Sequence, residues 1–477
     1  MEERIQELIA FAKAEEVAAV DLKYTNLFGQ LHHISLPVSQ FTEVMFEQGV
    51  GFDGSSIPGF AKLESGDMVV IPDPTTAVID PFWDRKTLSM LCYVHDARTL
   101  EPFRGDPRRI AWKAERYLKE AGIADISYWG PEFEFYLFDS VKYGMDVNYS
   151  FYQIESEEGD WNAAGADLGV PGSKIPRKGG YHAIPPLDRM YNLRAEMVKV
   201  IEDYGIKVRY HHHEVGGPGQ EEIEIPLGPL LKMADATQRI KYIVKMVARK
   251  HDKTATFMPK PLYGEAGSGM HFHQRLEKGE KPIFYDEKGY AGLSETALHY
   301  IGGLLKHGPA LLAITNPSTN SYKRLTPGYE APVNLFFGLA NRSAAVRIPR
   351  YAVEPHEKRF EFRPPDATCN VYLAMAAQLL AGIDGIKKKV DPSDEGFGPI
   401  DANVFALPLK EREAIRKLPV SLREALEALD QDNEFLTQGK VFPDNFVSSW
   451  VTYKMENEYY AVRNRPHPYE MRLYYDV

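Results

Sequence analysis

Four short stretches of the chain set chemically active side chains two residues apart. They are Glu132 and Glu134 in GPEFEF, Glu222 and Glu224 in GQEEIEI, His271 and His273 in GMHFH, and Glu361 and Arg363 in RFEFR. Side chains two apart share one face of a β-strand, so these pieces, paired in one sheet, would converge their charges on one surface. Carboxylates brought that close repel one another unless cations stand between them. A carboxylate-rich set with an occasional imidazole suits Mg2+ or Mn2+. Zinc would ask for a tetrahedral site richer in His and Cys, and the two cysteines, Cys92 and Cys369, have no such spacing. Taken singly, each stretch has an ordinary reading as a strand with charge on its wet face and aromatics on its dry one. Recurrence in four strands favours a shared site, with room for two metals.

Two further features extend that site. HHHEV, residues 211–215, runs into the Gly-rich turn of GGPGQEEIEI, which would bring Glu214 and Glu222 to one point from either side of a loop. Arginines cluster around the metal-type strands: Arg324 in SYKRLTPGYEAP, Arg342 and Arg347 in NRSAAVRIPR, Arg359 and Arg363 in KRFEFRPPD. One arginine is usually a solubilising surface residue, but a cluster suits phosphate and carboxylate recognition. The chain holds no G-x-x-x-x-G-K-[ST], and the Gly-dense run GEAGSGMHFH lies between strands rather than before a helix. A nucleotide would therefore be held through metals bridging its phosphates and through arginines.

The elements that must position these residues fall into two domains. VAAVDLKYT and LHHISLP flank NLFGQ and predict a hairpin, and MVVIPDP and LSMLCYVHD continue as strands. In GDPRRIAWKAERYLKEAG, Asp106 caps a helix that starts at Pro107 and is closed by Gly122. The boundary falls near Arg104, giving a small sheet-rich domain over 1–104 and a larger α+β domain over 105–477. In the larger domain the four strands alternate with helices over MADATQRIKYIVKMVARKHD and VYLAMAAQLLAGIDGIKKK. Residues 143–181 and 391–408 are long, polar and rich in Gly and Pro, the profile of lids or packing loops.

With 477 residues and 44% hydrophobic residues the chain can bury a large core. Its formal charge of -11 leaves no basic excess for a sequence-independent grip on nucleic acid or anionic lipid. The acidic, amphipathic start MEERIQELIAFAKAEE is unlike a signal peptide, and no apolar run reaches membrane-spanning length. The expectation is a cytoplasmic protein with buried, reduced thiols.

Taken together, the motifs resemble glutamine synthetase of the bacterial type I class, nearly end to end. GFDGSSIPGF, GPEFEF, HHHEV with GQEE, GSGMHFH, KRLTPGYEAP, NRSAAVRIP, RFEFRPPD and the ending PHPYEMRLYYDV stand in that family's order. The resemblance implies a β-grasp-like N-terminal domain and a catalytic α+β domain with a curved antiparallel sheet. It implies ATP-dependent ligation of ammonia to L-glutamate through γ-glutamyl phosphate, with two Mg2+ or Mn2+ per site. It puts one metal on Glu134, Glu214 and Glu222 and the other on Glu132, His271 and Glu361, leaving out Glu224. Arg342, Arg347 and Arg363 would bear the phosphoryl charge, with His273 and Arg359 also at the nucleotide. Arg324 would clamp glutamate's carboxylate, and Gly267 would let backbone approach it. Asp53, with Ser56, Tyr181 and Glu214, would bind ammonium and take its proton, and Glu330 would close the site as a flap. The resemblance also implies a dodecamer of two hexameric rings with Asp53 acting in a neighbouring subunit, an apolar C-terminal tail reaching the opposite ring, and nitrogen-regulatory proteins as partners.

Three positions depart from the family pattern. Phe405 replaces the tyrosine that receives AMP in adenylylated members and has no hydroxyl, so no adenylylation is expected there. Ala266 stands where an asparagine often contacts glutamate, and Arg275 where a serine often lies beside the nucleotide. Three rival readings are a ligase joining glutamate to a larger amine, a metal-dependent hydrolase suggested by His271 and His273, and a non-catalytic relative. Asp53, Ser56 and Tyr181 favour ammonium, the arginines oppose the hydrolase, and no ligand of the six is missing.

Overall fold

A computed structural model describes residues 2–60, 66–162, 174–327 and 331–477. After the helix Glu2–Ala14, the N-terminal part forms a six-stranded sheet. Its strands are β1 (Ala19–Thr25), β2 (Leu31–Pro37), β3 (Val50–Asp53), β4 (Asp67–Pro72), β5 (Val78–Asp80) and β6 (Thr87–Asp96). The order is β2-β1-β6-β4-β3, with β5 also on β6; β1 and β6 run parallel and the other pairs antiparallel. Val20, Leu22, Leu88 and Met90 fill an apolar cluster of this sheet and its helix.

The expected β1–β2 hairpin forms, with Thr25 opposite Leu31. Its turn contains Gly29 at φ 84°, where an added Cβ would lie 3.0 Å from Asn370 Cα. Only glycine takes that conformation at that distance without strain. The Asn370 amide donates to Asn26 O at 3.0 Å and Leu27 O at 3.1 Å, so the turn is tied to the start of the helix Val371–Lys388. Asp106 caps the helix Pro107–Glu120 by accepting from Arg108 N, as its sequence predicts.

The larger part is built on a ten-stranded sheet. Its strands are β7 (Ile126–Phe138), β10 (Tyr210–His213), β11 (Gln220–Glu224), β12 (Gly228–Pro229), β13 (Thr254–Thr256), β14 (Phe272–Lys278), β15 (Lys281–Pro282), β16 (Asn334–Leu339), β17 (Ala344–Ile348) and β18 (Phe360–Phe362). The main path is β10-β11-β7-β14-β18-β17-β16, antiparallel except for the parallel β16–β17 pair. One face of β7 presents Phe133, Phe135 and Leu137 to the large core, where Phe272, Ile223 and the helices Leu230–Lys250, Glu295–Lys306 and Val371–Lys388 meet them. The other face is left for Glu132 and Glu134.

Residues 143–181, expected to be an irregular segment, begin with ordered structure. β8 (Ser140–Asp146) and β9 (Tyr149–Glu155) pair as a two-stranded hairpin outside the main sheet. Alternating Tyr143, Met145, Tyr149 and Phe151 support it, and they stay exposed, so no buried face announced them as strands. In 391–408, Val404 packs with Phe336 and Ala344, and Phe397 is buried. Both cysteines are buried free thiols. Among the described residues no helix is long and apolar enough to cross a membrane.

Candidate active site

Strand register brings the four i, i+2 pairs together. On β11 and β7, Glu222 lies opposite Glu134 and Glu224 opposite Glu132. His273 on β14 is opposite Glu361 on β18, which is opposite Arg347 on β17. On the outer side, His212 on β10 is opposite Glu222. Like charges directly opposite on an antiparallel pair oppose its formation; the sheet holds two such pairs, and one of them, Glu222 and Glu134, lies wholly on the floor of one cavity.

That cavity measures about 370 Å³. Glu132, Glu134, Glu214, Glu222, His271 and Glu361 line it, and Arg324, Arg342, Arg347 and Arg363 line it with Tyr181 and Gly267. His271 Nδ1 lies 2.9 Å from Glu132 Oε2 and 3.3 Å from Glu361 Oε1. Two acceptors thus converge on one nitrogen, where a proton or a cation must sit. Glu132 Oε1 takes a hydrogen bond from His273 Nε2 at 2.8 Å, so His273 buttresses the site from behind rather than facing the cavity. Glu134 Oε2 accepts from Gly269 N at 2.6 Å, and its other oxygen lies 3.9 Å from His271 Nε2. Glu132, His271 and Glu361 form one set of donors within 4.8 Å of one another; His212, Glu214 and Glu222 form a second.

The arginines hold the carboxylates and each other's backbone. Glu361 pairs with Arg347 Nη1 at 2.6 Å and Arg363 Nε at 2.9 Å. Arg324 is buried; it donates to Pro364 O at 2.7 Å and Arg363 O at 3.2 Å and lies 3.1 Å from His271 Nε2. Gly267 makes this arrangement fit, since an added Cβ would come within 2.6 Å of Pro259 O and 2.8 Å of Arg324 Cγ. Tyr136 hydroxyl donates to Ala266 O at 2.6 Å, so that position contributes backbone rather than a side-chain amide.

The electrostatics follow from this crowding. Burial pushes the Glu222 carboxyl well above the usual range, and Glu132, Glu134, Glu214 and Glu361 push it further. For Glu132 burial acts in the same upward direction but is outweighed by His273 and His271, which hold it well below. For Glu361 burial again acts upward, and Arg363 with His271 and His273 together outweigh it and lower the carboxyl. One carboxyl lacking any cation among four others, beside carboxylates already matched by imidazole and guanidinium, is a donor set that fits hard divalent cations.

Other expected residues lie elsewhere. Arg359 donates to Glu357 O at 3.0 Å and lies over the Tyr351 ring at 5.4 Å; Tyr351, not Arg359, lines the cavity. Arg275 lies over Tyr128 at 4.1 Å and pairs with Glu277 at 2.9 Å. Glu224 pairs with Arg209. Asp53 ends β3 and Ser56 lies in the short helical turn after it, away from this cavity's lining, and Asp53 accepts from Ser55 N at 2.9 Å, Ser55 Oγ at 2.6 Å and Ser56 Oγ at 2.7 Å. Those bonds hold its carboxyl below the usual range. Glu330 lies outside the described residues.

Sequence reasoning missed the buried network beneath the floor. His213 Nδ1 is 2.6 Å from Glu214 O, and its Nε2 is 3.3 Å from Glu158 Oε2. Arg194 joins Glu221 to Asp188 beside them. Gly180 N donates to Val215 O and His182 N to His213 O, both at 3.0 Å, so the same strand end carries Tyr181. Glu158 lies in a polar stretch with no periodicity to mark it, whereas the alternation of HHHEV alone could have separated inward His213 from cavity-facing His212.

Comparison with known proteins agrees over the whole length. The glutamine synthetase β-grasp domain model matches residues 16–97, and the glutamine synthetase catalytic domain model matches 104–474. Glutamine synthetase of Frankia alni is 48% identical over 475 residues, covering 99% of both chains. That of Aquifex aeolicus is 49% identical over 472 residues, again 99% of both. Among solved structures, Plasmodium falciparum glutamine synthetase has a TM-score of 0.89 at 29% identity, covering 99% of this chain and 98% of that one. A GmaS/ADP complex has a TM-score of 0.81 at 26% identity, covering 98% and 99%. With both domain models matched in order, and a cavity lined by carboxylates, an imidazole and arginines from GPEFEF, HHHEV, GQEE, GSGMHFH, KRLTPGYEAP, NRSAAVRIP and RFEFRPPD, this chain belongs to the glutamine synthetase family.

Proposed function

We infer that the protein is a glutamate–ammonia ligase, forming L-glutamine, ADP and phosphate from L-glutamate, ammonia and ATP. The observation that carries this reading is one cavity in which two carboxylate-imidazole donor sets meet Arg324, Arg342, Arg347 and Arg363. A γ-carboxylate is a poor acyl donor, so its oxygen first attacks the γ-phosphorus of ATP and ADP leaves. Ammonia then attacks the acyl carbon, phosphate leaves, and the surplus proton passes to a carboxylate.

Each residue has a role in that sequence. Divalent cations, Mg2+ or Mn2+ and two per site, would be held by Glu132, His271 and Glu361 and by Glu134, Glu214 and Glu222; when bound they neutralise phosphate charge. Arg342, Arg347 and Arg363 stabilise charge on the moving phosphoryl group, and Arg324 grips the substrate carboxylate with a fixed fork. His273 orients Glu132, and Arg359 steadies Tyr351 at the nucleotide end. Asp53 takes the ammonium proton, with Ser56, Tyr181 and Glu214 around it, and Glu330 shields the acyl phosphate from water. Because Asp53 and Ser56 do not line their own cavity, they serve the site of a neighbouring copy. That arrangement belongs to a homo-dodecamer of two hexameric rings, built from domains over 1–104 and 105–477, working in the cytoplasm under nitrogen-regulatory partners.

The test is glutamine and phosphate formation by the full chain with ATP, Mg2+ and glutamate, with and without ammonium, and with methylamine in its place. Ammonium-dependent glutamine is the expected result. Turnover with the amine alone would replace this reading by a γ-glutamyl-amine ligase, and no ATP cleavage in any arm would replace it by a non-catalytic relative.

A further inference from the structure

We propose that Asn341 and Asp401 are positioning residues for Arg342, and that segment 397–402 acts as a splint holding that guanidinium at the cavity. The proposal rests on the reading of Arg342 as a group that bears phosphoryl charge. Arg342 lies in the link between β16 and β17, which run parallel. Parallel neighbours ordinarily need a connection of about a dozen residues or more. Here four residues, 340–343, make it. Ala340 stands at φ 57°, in the left-handed region that favours glycine, and such backbone persists where its surroundings over-determine it. Arg342 is itself exposed, so burial does not fix where its guanidinium points. What fixes the link is bonded to it from outside the two strands.

β16 ends the main strand path, so its outer edge would otherwise present unpaired backbone groups. Residues 397–401 cover that edge. Phe337 N donates to Phe397 O at 3.0 Å, Ile400 N to Phe337 O at 2.9 Å, and Leu339 N to Asp401 Oδ1 at 2.7 Å. Asp401 Oδ1 also accepts from the Tyr290 hydroxyl at 2.5 Å, and that hydroxyl accepts from Leu339 N at 3.0 Å. Gly338 lets the splint close in, since an added Cβ would collide with Ile400 O. Asn341 braces the link from the other end. Its amide nitrogen donates to Ile400 O at 2.9 Å and Ala402 O at 3.0 Å, and its oxygen accepts from Ser343 N at 3.0 Å and Ser343 Oγ at 2.7 Å. Carbonyl oxygens only accept, so the amide can face them in one orientation alone. One side chain thus joins the splint to the residue after Arg342, and Arg342 leaves the link into the cavity beside Arg347. Charge that develops on a phosphoryl group is stabilised best by a donor already in place, which is what the brace secures.

The experiment uses two substitutions of equal shape in the full-length protein, with opposite expectations. Asn341→Asp keeps the oxygen that serves Ser343 but sets a second acceptor against two carbonyls, which cuts the splint. Asp401→Asn keeps an oxygen that accepts from Leu339 N and Tyr290, so its kcat should stay within about threefold of wild type. Asn341→Asp is expected to lower kcat by about tenfold to a hundredfold, the scale of a misplaced catalytic group. The KM values for glutamate and ATP should stay within about twofold, because the lost interaction serves the transition state. In an Arg342→Ala background the same substitution should cost less than about twofold more. An equal loss in both backgrounds would mean that the added charge acts by itself, and overturns the proposal. Hydrogen exchange over residues 336–348, read by mass spectrometry without substrates, should quicken in Asn341→Asp and not in Asp401→Asn. Exchange unchanged in Asn341→Asp overturns the proposal whatever the protein makes. Asn341→Ala is read the same way if the aspartate variant does not fold. Wild-type protein that makes no glutamine would sink the ligase reading, while the exchange result still decides whether the splint holds the link.

Discussion

Replacing Arg108 with methionine should loosen the joint between the N-terminal sheet and the catalytic domain. Arg108 is 3% exposed, sits two residues into the helix capped by Asp106, and forks onto Asp235 with Nε–Oδ1 2.9 Å and Nη2–Oδ2 2.8 Å. Its Nη2 also reaches Asp73 Oδ2 at 2.9 Å, and its guanidinium lies over the Tyr93 ring at 4.2 Å. Methionine keeps most of the stem's volume but strands two carboxylates. Breaking a buried ion pair from one side costs about 3–5 kcal/mol. Two features put this case at the low end, about 3 kcal/mol. Asp235 keeps the Tyr372 hydroxyl at 2.8 Å and Asp73 keeps Thr75 N and Oγ1, while Arg108 Nη1 has no hydrogen-bond partner to lose. Urea unfolding at fixed protein concentration reads the loss. The double variant Arg108→Met with Asp235→Asn should recover at least half of it, because the carboxylate that the guanidinium held by two bonds no longer carries a stranded charge, leaving only Asp73. A single variant within about 1 kcal/mol of wild type, or a double variant no better than the single, would refute the stranded-charge account.

Further outcomes follow from the site and from the core. Glu222→Gln should raise the melting temperature in EDTA, by relieving a carboxyl crowded by four others, and should remove most of the rise that Mn2+ gives wild type; thermal scans with and without metal check both signs. Asp53→Ala should raise the KM for ammonium at least about tenfold while leaving those for glutamate and ATP within about twofold, since only the ammonium loses its ion-pair partner. His307 lies between Asp384 at 2.9 Å and Asp432 at 2.7 Å, which raise its pKa against the pull of burial. A raised imidazole stabilises fully below its unfolded value near 6.5 and loses that contribution as pH climbs through the higher folded value. The stability gap between wild type and His307→Gln should therefore be widest near pH 6 and close toward alkaline pH, as denaturant midpoints measured across that range would record.

Much of the site was legible because period-2 alternation is a property of strands whatever their neighbours. Glu132 and Glu134 had to share a face once Phe133 and Phe135 went into the core. Which strands stand side by side is set by long-range packing, so nothing local announced that Glu222 would face Glu134 or that His212 would face Glu222. Arg359 shows the limit of the alternation argument. It has the parity of Glu361 and Arg363, but β18 begins at Phe360, and the chain before it turns Arg359 toward Tyr351. The β8–β9 hairpin escaped notice because both its faces are wet, and Glu158 because a buried ion partner in a loop has no pattern. The role of Asp53 came from family likeness alone; its local bonds are those of an ordinary Asx turn.

The paired glutamates facing each other across β7 and β11 also bear on how this chain has been kept. Without cations, almost any neutral replacement at Glu134 or Glu222 would ease the fold. Most random changes weaken a protein, so the rare ones that strengthen it spread readily when nothing opposes them. A lineage that had stopped binding metal would have shed this cluster early, ahead of any visible decay in its core. Glu132, Glu134, Glu214, Glu222, His271 and Glu361 all line the cavity of this chain, so on the proposed two-cation reading the strain itself becomes a mark of selection on the site.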